Sequence, residues 1–207
     1  MDIVKTAKLG TNADLFPDVL RLYVPAGSYV LDMTYGRGVF WKKVDISQYQ
    51  LDTNDISEDR GDTHYDFRRI PVADAQYDAV VLDPPYIYHS GAVHRAGGMH
   101  TDYRNDERAL AGVYGVDAVD KMYLDAMTEA KRLLKPGGVL IVKCMDQIVG
   151  AKQIWQHITL LRFGGELGFV TEDLFILVRS GALIMRHPHQ IHARKNHSYF
   201  LVFRRRP

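Results

Sequence analysis

The sequence predicts an α/β fold built on a doubly wound, mostly parallel sheet, and two observations carry that prediction. Short apolar runs alternate with amphipathic stretches along most of the chain, in the rhythm of strand–helix–strand units. Two of those runs also stop abruptly in polar, turn-forming motifs, Asp32-Met33-Thr34-Tyr35-Gly36-Arg37-Gly38 and Asp83-Pro84-Pro85-Tyr86. The carboxyl ends of strands are where open α/β sheets keep their ligands.

Taken in order, residues 14–22 place Leu15, Phe16, Val19, Leu20 and Leu22 at helical spacing, a helix packed before the first ligand-bearing strand. Residues 28–33 are that strand, and the glycines after it permit a tight turn and a close approach of backbone to ligand. Residues 79–82, Ala-Val-Val-Leu, read as a buried strand that must end at Pro84 and Pro85, which cannot donate ladder hydrogen bonds. Residues 116–134 form the clearest helix, with Val119, Met122, Tyr123, Ala126, Ala130 and Leu133 on one face and Lys131 and Arg132 near its end. Gly137-Gly138 then frees the turn into a strand over 139–144. A helix over 153–161 and two late strands over 174–178 and 199–203 complete the pattern, the last pair antiparallel.

Residues 87–115 break the rhythm. They hold five glycines, His89, His94 and His100, and the basic residues Arg95, Arg104 and Arg108. A long irregular stretch inside a compact domain is usually functional or disordered, and this one comes directly after the Asp83 corner. We read it as a lid that contacts substrate; a plain insertion is the alternative.

Composition fits a single domain over residues 1–207. The chain is 46% hydrophobic with a formal net charge of +1, and it has neither an apolar run of membrane-spanning length nor a signal-peptide pattern at its start. The single cysteine, Cys144, ends an apolar run and reads as a buried thiol in a reducing, cytoplasmic setting. Charge distribution is more telling than net charge. No acidic residue follows Asp173, whereas Arg179, Arg186, Arg194, Lys195, Arg204, Arg205 and Arg206 do. Such a one-sided field suits contacts to phosphates; a solvated face with a basic tail is the alternative. His187, His189, His192 and His197 also cluster, but without the cysteines or the His-Glu-x-x-His pattern of a metal centre, so no metal is expected.

The two strand-end motifs together describe a chemistry. An acid at the end of the first strand suits a ligand with a cationic amino-acid portion better than a pyrophosphate, and the Gly-x-Gly here lacks the longer dinucleotide fingerprint. Asp83, the proline carbonyls and the Tyr86 ring offer rigid acceptors beside a stacking face, an arrangement fit to grip an exocyclic amine on a flat heterocycle.

With both motifs in hand, the chain resembles the S-adenosylmethionine-dependent amino-methyltransferases that modify exocyclic amines of nucleic-acid bases, over most of its length from about Lys8 to Arg206. The resemblance implies a Rossmann-like, class I methyltransferase sheet of seven strands with an antiparallel last strand. It implies S-adenosyl-L-methionine held by Asp32, Thr34, Gly36 and Gly38, by Asp55 or Asp52 at the ribose, by Asp66 and Phe67 at the adenine, and by Asp83. It makes Asp83, Pro84, Pro85 and Tyr86 the catalytic motif. Tyr86 and Tyr88, which could also be core aromatics, and Arg186, Arg194 and Lys195 of the basic third are the candidate substrate-binding residues, with Tyr86 alone placed to stack on a base. Leu134-Lys135-Pro136-Gly137-Gly138 and the run from His197 to Phe203 resemble the passage into the fifth strand and the closing strand.

The implied reaction is methyl transfer to a base of DNA, adenine N6 ahead of cytosine N4, because Asp opens the motif. RNA, on adenine N6 or guanine N2, is the next reading, and a non-catalytic nucleic-acid-binding subunit is the remaining one. The larger members of the family carry a target-recognition domain for which this sequence shows no room. Monomer and homodimer both fit.

Overall fold

The computed structural model describes residues 3–85, 116–180 and 189–207. The expected lid at 87–115, together with Tyr86, Tyr88 and Arg186, lies outside the described residues. In chain order the elements are β1 (Ala7–Leu9), α1 (Asn12–Tyr23), β2 (Tyr29–Asp32), β3 (Gln50–Thr53), β4 (Tyr77–Leu82), α2 (Val116–Leu133) and β5 (Leu134–Cys144). They continue with β6 (Gln147–Val149), β7 (Lys152–Ile154), α3 (Gln156–Glu166), β8 (Phe169–Val178) and β9 (His197–Arg205).

Seven strands form one sheet in the order β1-β8-β9-β5-β4-β2-β3. All neighbours run parallel except those of β9, which is antiparallel to both β5 and β8. The expected sheet, with its antiparallel last strand, is present. The topology places the carboxyl ends of β2, β4 and β5 and the amino end of β9 on one edge. Both faces are covered. α1 and a 3-10 turn over Phe40–Lys43 pack Leu15, Phe16, Val19, Phe40 and Trp41 against Val30, Val81, Ile141 and Phe200. On the other face α2 and α3 bring Tyr123, Met127, Leu160 and Phe163 against Leu31, Val80, Val142 and Phe203. Burying each face at about 25 cal/mol per Å² of apolar surface is what holds helices to sheet. Among the described residues no helix is long and apolar enough to cross a membrane.

Five details differ from the sequence expectation, the first being that β8 begins at Phe169 rather than 174. The first helix begins at Asn12 rather than 14, because Thr11 caps it: the Thr11 amide donates to Asp14 Oδ2 at 2.7 Å, closing a capping box. β5 starts at Leu134, not 139. Leu134 pairs with Tyr77 before the ladder slips and resumes at Ala79–Val139. Gly138 sits in that slip, where a Cβ would lie 2.9 Å from the Lys135 carbonyl oxygen and 3.1 Å from that of Asp78. The third helix starts at Gln156, since residues 147–154 form the hairpin β6–β7. The seventh strand of the sheet is β1, three residues with only partial burial and hence little apolar signal to read.

Candidate active site

The loop after β2 turns the chain through two left-handed glycines, Gly36 (φ +57°) and Gly38 (φ +62°). At Gly38 a Cβ would also lie 2.5 Å from the Tyr35 hydroxyl oxygen, so a larger residue there would have to displace the Tyr35 ring. The constraint at this position is therefore the Tyr35 ring as well as any ligand. The loop is stitched to the segment beyond β3. Asn54, fully buried, donates through Nδ2 to the carbonyls of Met33 (3.1 Å) and Tyr65 (2.9 Å), and its Oδ1 accepts from the Tyr65 amide and the Thr63 hydroxyl. The Gly36 amide donates to Asp55 Oδ2 at 2.8 Å.

Asp32, at the last position of β2, is 3% exposed. Its Oδ1 accepts from the Thr34 amide (3.0 Å) and its Oδ2 from the Trp41 indole (2.7 Å). Burial pushes its carboxyl up to about 7, against the opposing pull of those two donors.

Thr34 joins the two motifs. Its hydroxyl oxygen accepts from the Asp83 amide at 2.7 Å, fixing the end of β4 against the loop after β2. Asp83 Oδ1 is buried and has no hydrogen-bond partner among the described residues. Burial raises the Asp83 carboxyl above its ordinary value, and the Lys143 and Arg179 cations oppose that rise. Pro84 is buried behind it. A buried carboxylate oxygen without a donor is costly, and that cost is recovered when a donor arrives.

Asp32, Thr34, Gly36 and Asp83 open together on a cavity of about 450 Å³. Its other walls are Gly10, Thr11 and Asn12 before and at the start of α1, Phe40, and Leu177, Arg179 and Ser180 at the end of β8. Sequence reasoning missed this far wall, and it missed Lys143. That lysine is 1% exposed, its ammonium donates to Asn12 Oδ1 at 2.5 Å, and it stands 4.7 Å over the Phe200 ring. Burial lowers its affinity for a proton while Asp83 raises it. A single charged letter inside the apolar run of β5 was the available signal.

The alternatives at the second strand separate. Asp52 Oδ2 accepts from the hydroxyls of Tyr29 (2.5 Å) and Tyr77 (2.8 Å), whereas Asp55 is bonded to the Gly36 amide of the cavity loop. Asp66 and Phe67 are not brought to the cavity. The Asp66 carboxylate is paired with Arg68 at 2.6 Å and faces a separate hollow with Arg69, Ile70 and Arg132, and Phe67 packs against the core.

The basic carboxyl-terminal third also divides. Arg204 pairs with Glu172, and Arg205 donates to the carbonyls of Lys131 and Leu134, both at the end of β9 remote from the Asp83 edge. Arg194 and Lys195 precede β9 on the Asp83 edge, and Arg179 is in the cavity wall.

No protein-family model matches the chain, and no curated protein does. Among solved structures it is similar to a candidate methyltransferase of Bacillus halodurans C-125, with 13% identity over 93% of this chain and 99% of that one and a TM-score of 0.60. The fold is that of Rossmann-like methyltransferases. It is likewise similar to the 1,6-didemethyltoxoflavin-N1-methyltransferase of Burkholderia thailandensis, solved with bound S-adenosylhomocysteine (11% identity, 95% and 79% covered, TM-score 0.58). TrmN of Thermus thermophilus matches with 16% identity over 92% of this chain and 48% of its own, TM-score 0.57. The chain spans about half (51%) of a candidate DNA modification methylase of Thermus thermophilus, at 23% identity and a TM-score of 0.46, a likeness too loose to carry an argument.

Proposed function

We propose that the chain transfers a methyl group from S-adenosyl-L-methionine to the exocyclic amine of a base in DNA, adenine N6 first. The observation that carries this reading is the orphaned, buried Oδ1 of Asp83, held by Thr34 against the Asp32 loop at the mouth of a shared cavity. The fold shared with methyltransferases supports the cofactor, and so does the donor set. Asp32 and the turn through Gly36 and Gly38 would hold its cationic amino-acid end, and Asp55, rather than Asp52, would serve the ribose. When bound, the cofactor supplies a methyl group already activated on a sulfonium, so no strong general base is required.

The chain's own residues then have positioning work to do. An aromatic amine is a weak nucleophile because its lone pair is delocalised into the ring. Asp83 Oδ1 accepts one amine hydrogen and the Pro84 carbonyl the other, which favours a pyramidal nitrogen with its lone pair free for the methyl. Holding the amine in line and matching its developing positive charge with a preorganised carboxylate carry the rate. In a duplex the base must leave the stack to reach the cavity, and the aromatic residue of the Asp-Pro-Pro-Tyr motif is of the type that stacks on such a base. Incubating DNA and RNA pools with methyl-labelled cofactor, followed by nucleoside mass spectrometry, tests the reading. N6-methyldeoxyadenosine is expected; label on no nucleoside, or on RNA alone, would overturn it.

A further inference from the structure

Along the edge that carries Asp83, two strands further on, stands a second group of polar side chains. β5 ends at Cys144 and its partner β9 begins at His197, so Asp146 and His197 lie just past that edge. Strands are about 4.8 Å apart, which places β9 about 10 Å from β4. Asp146 is buried with both oxygens engaged. The His157 Nδ1 is 2.7 Å from Oδ1, and the Tyr199 hydroxyl donates to Oδ2 at 3.1 Å. The His157 ring stacks on Tyr199 at 4.4 Å, and His197 Nε2 is 2.9 Å from the same hydroxyl.

This network fixes the backbone under Trp155 without covering its ring. The Trp155 carbonyl accepts the Ile158 and Thr159 amides at the start of α3, and the buried Gln156 side chain donates to Asp120 at 3.0 Å. His157 meets the indole edge-on at 6.3 Å, and the Lys195 ammonium stands 4.4 Å from its centroid. With those neighbours in place the tryptophan is still 48% exposed. Arg194 beside Lys195, and Lys152 three residues before Trp155, are exposed as well. A half-exposed indole with the Lys195 ammonium over one face of the ring leaves a platform on which an unstacked base can lie while its phosphate meets the cation.

We propose that Trp155 and Lys195 dock the DNA strand beside the target nucleotide, the indole stacking on a flanking base and Lys195 meeting its phosphate. This inference rests on the DNA-methylation reading and adds a contact to it. The partner is nucleic acid and not an acidic protein surface because the group offers an aromatic ring together with cations, and its carboxylates are engaged, Asp146 on both oxygens and Asp120 by Gln156.

The chain contains two tryptophans, which makes the test direct. Trp41 is 2% exposed and bonded to Asp32, so Trp155 is the one a polymer can reach. A short single-stranded DNA oligonucleotide should quench indole emission in the wild type and leave it unchanged in Trp155→Phe. Trp155→Ala should weaken oligonucleotide binding by about tenfold to a hundredfold, with cofactor affinity unchanged. An abasic residue at the flanking position should abolish the quench. Undiminished emission with bound DNA, equal quenching by polyphosphate, quenching by RNA but not DNA, or wild-type affinity of Trp155→Ala would each overturn the platform. Quenching by DNA in a chain that methylates no nucleoside would uphold the platform and refute the methylation reading, and methylation with wild-type DNA affinity in Trp155→Ala would do the reverse.

Discussion

Glu129 and Asp83 are both acids set against the core of the sheet, and the chain treats them in opposite ways. Glu129, on α2, accepts from the Ile70 amide at 2.8 Å and from Arg132 on both oxygens, and Arg132 in turn donates to the carbonyls of Ile70 and Val72. Every oxygen is used, and the 70–74 segment is stapled to the helix. Asp83 keeps a buried oxygen with no donor among the described residues. A satisfied buried acid is part of the architecture. An unsatisfied one costs stability until a donor reaches it.

Asp32 sharpens the comparison from a third side, and the largest effect on stability is expected there. Burial raises its carboxyl from the ordinary 3.8 to about 7, so between those values the folded chain holds a proton that the unfolded chain has released. The associated stability is present in full below the unfolded value and is lost as pH rises through 7. Relative to Asp32→Asn, the wild type should therefore lose roughly 4 kcal/mol between pH 4 and pH 8. Urea unfolding of both proteins across that range checks this; parallel curves would show that burial does not perturb Asp32.

Glu129→Ala comes next. Removing one side of the staple leaves Arg132 and the Ile70 amide without their acceptor, at a cost of about 2 kcal/mol. That corresponds to a fall in Tm of about 4–8 °C for a chain of this size. Methyl transfer per folded molecule should hold at the wild-type rate, and a selective loss of turnover with unchanged Tm would break the contrast with Asp83.

Thr34→Val is the smallest change. It keeps the shape of the side chain but removes the acceptor for the Asp83 amide, worth about 1 kcal/mol. If Thr34 holds Asp83 in register, the methyl-transfer step should slow about tenfold, while DNA affinity stays level. An unaltered step would mean β4 positions Asp83 unaided.

How much of the molecule is legible in the sequence depends on how locally each feature is encoded. The strand ends at Asp32 and Asp83 were legible because proline and glycine impose their turns without help from the rest of the fold. The sheet class was legible from alternating runs. β1 was not, since an edge strand of three half-exposed residues owes its existence to β8. Equally hidden were the far wall of the cavity at Gly10–Asn12 and the pairing of Lys143 with Asn12, which join residues 131 positions apart. Arg204 and Arg205 read as part of a one-sided field suited to phosphates, and tertiary contacts with Glu172 and with backbone carbonyls absorb both. The Asp52–Asp55 alternative turns on two tyrosines, Tyr29 and Tyr77, whose hydroxyls occupy Asp52 Oδ2 and which no spacing rule connects.

The claim that Asp83 Oδ1 waits for the target amine is tested most directly by single-turnover methylation of DNA at saturating S-adenosyl-L-methionine, with wild type, Asp83→Asn and Asp83→Ala compared. The account predicts a loss on the order of 10²–10³-fold for the alanine variant. The asparagine variant, which retains a neutral acceptor, should fall between, and cofactor affinity by calorimetry should stay nearly unchanged across the three. Equal single-turnover rates for wild type and Asp83→Ala would contradict it.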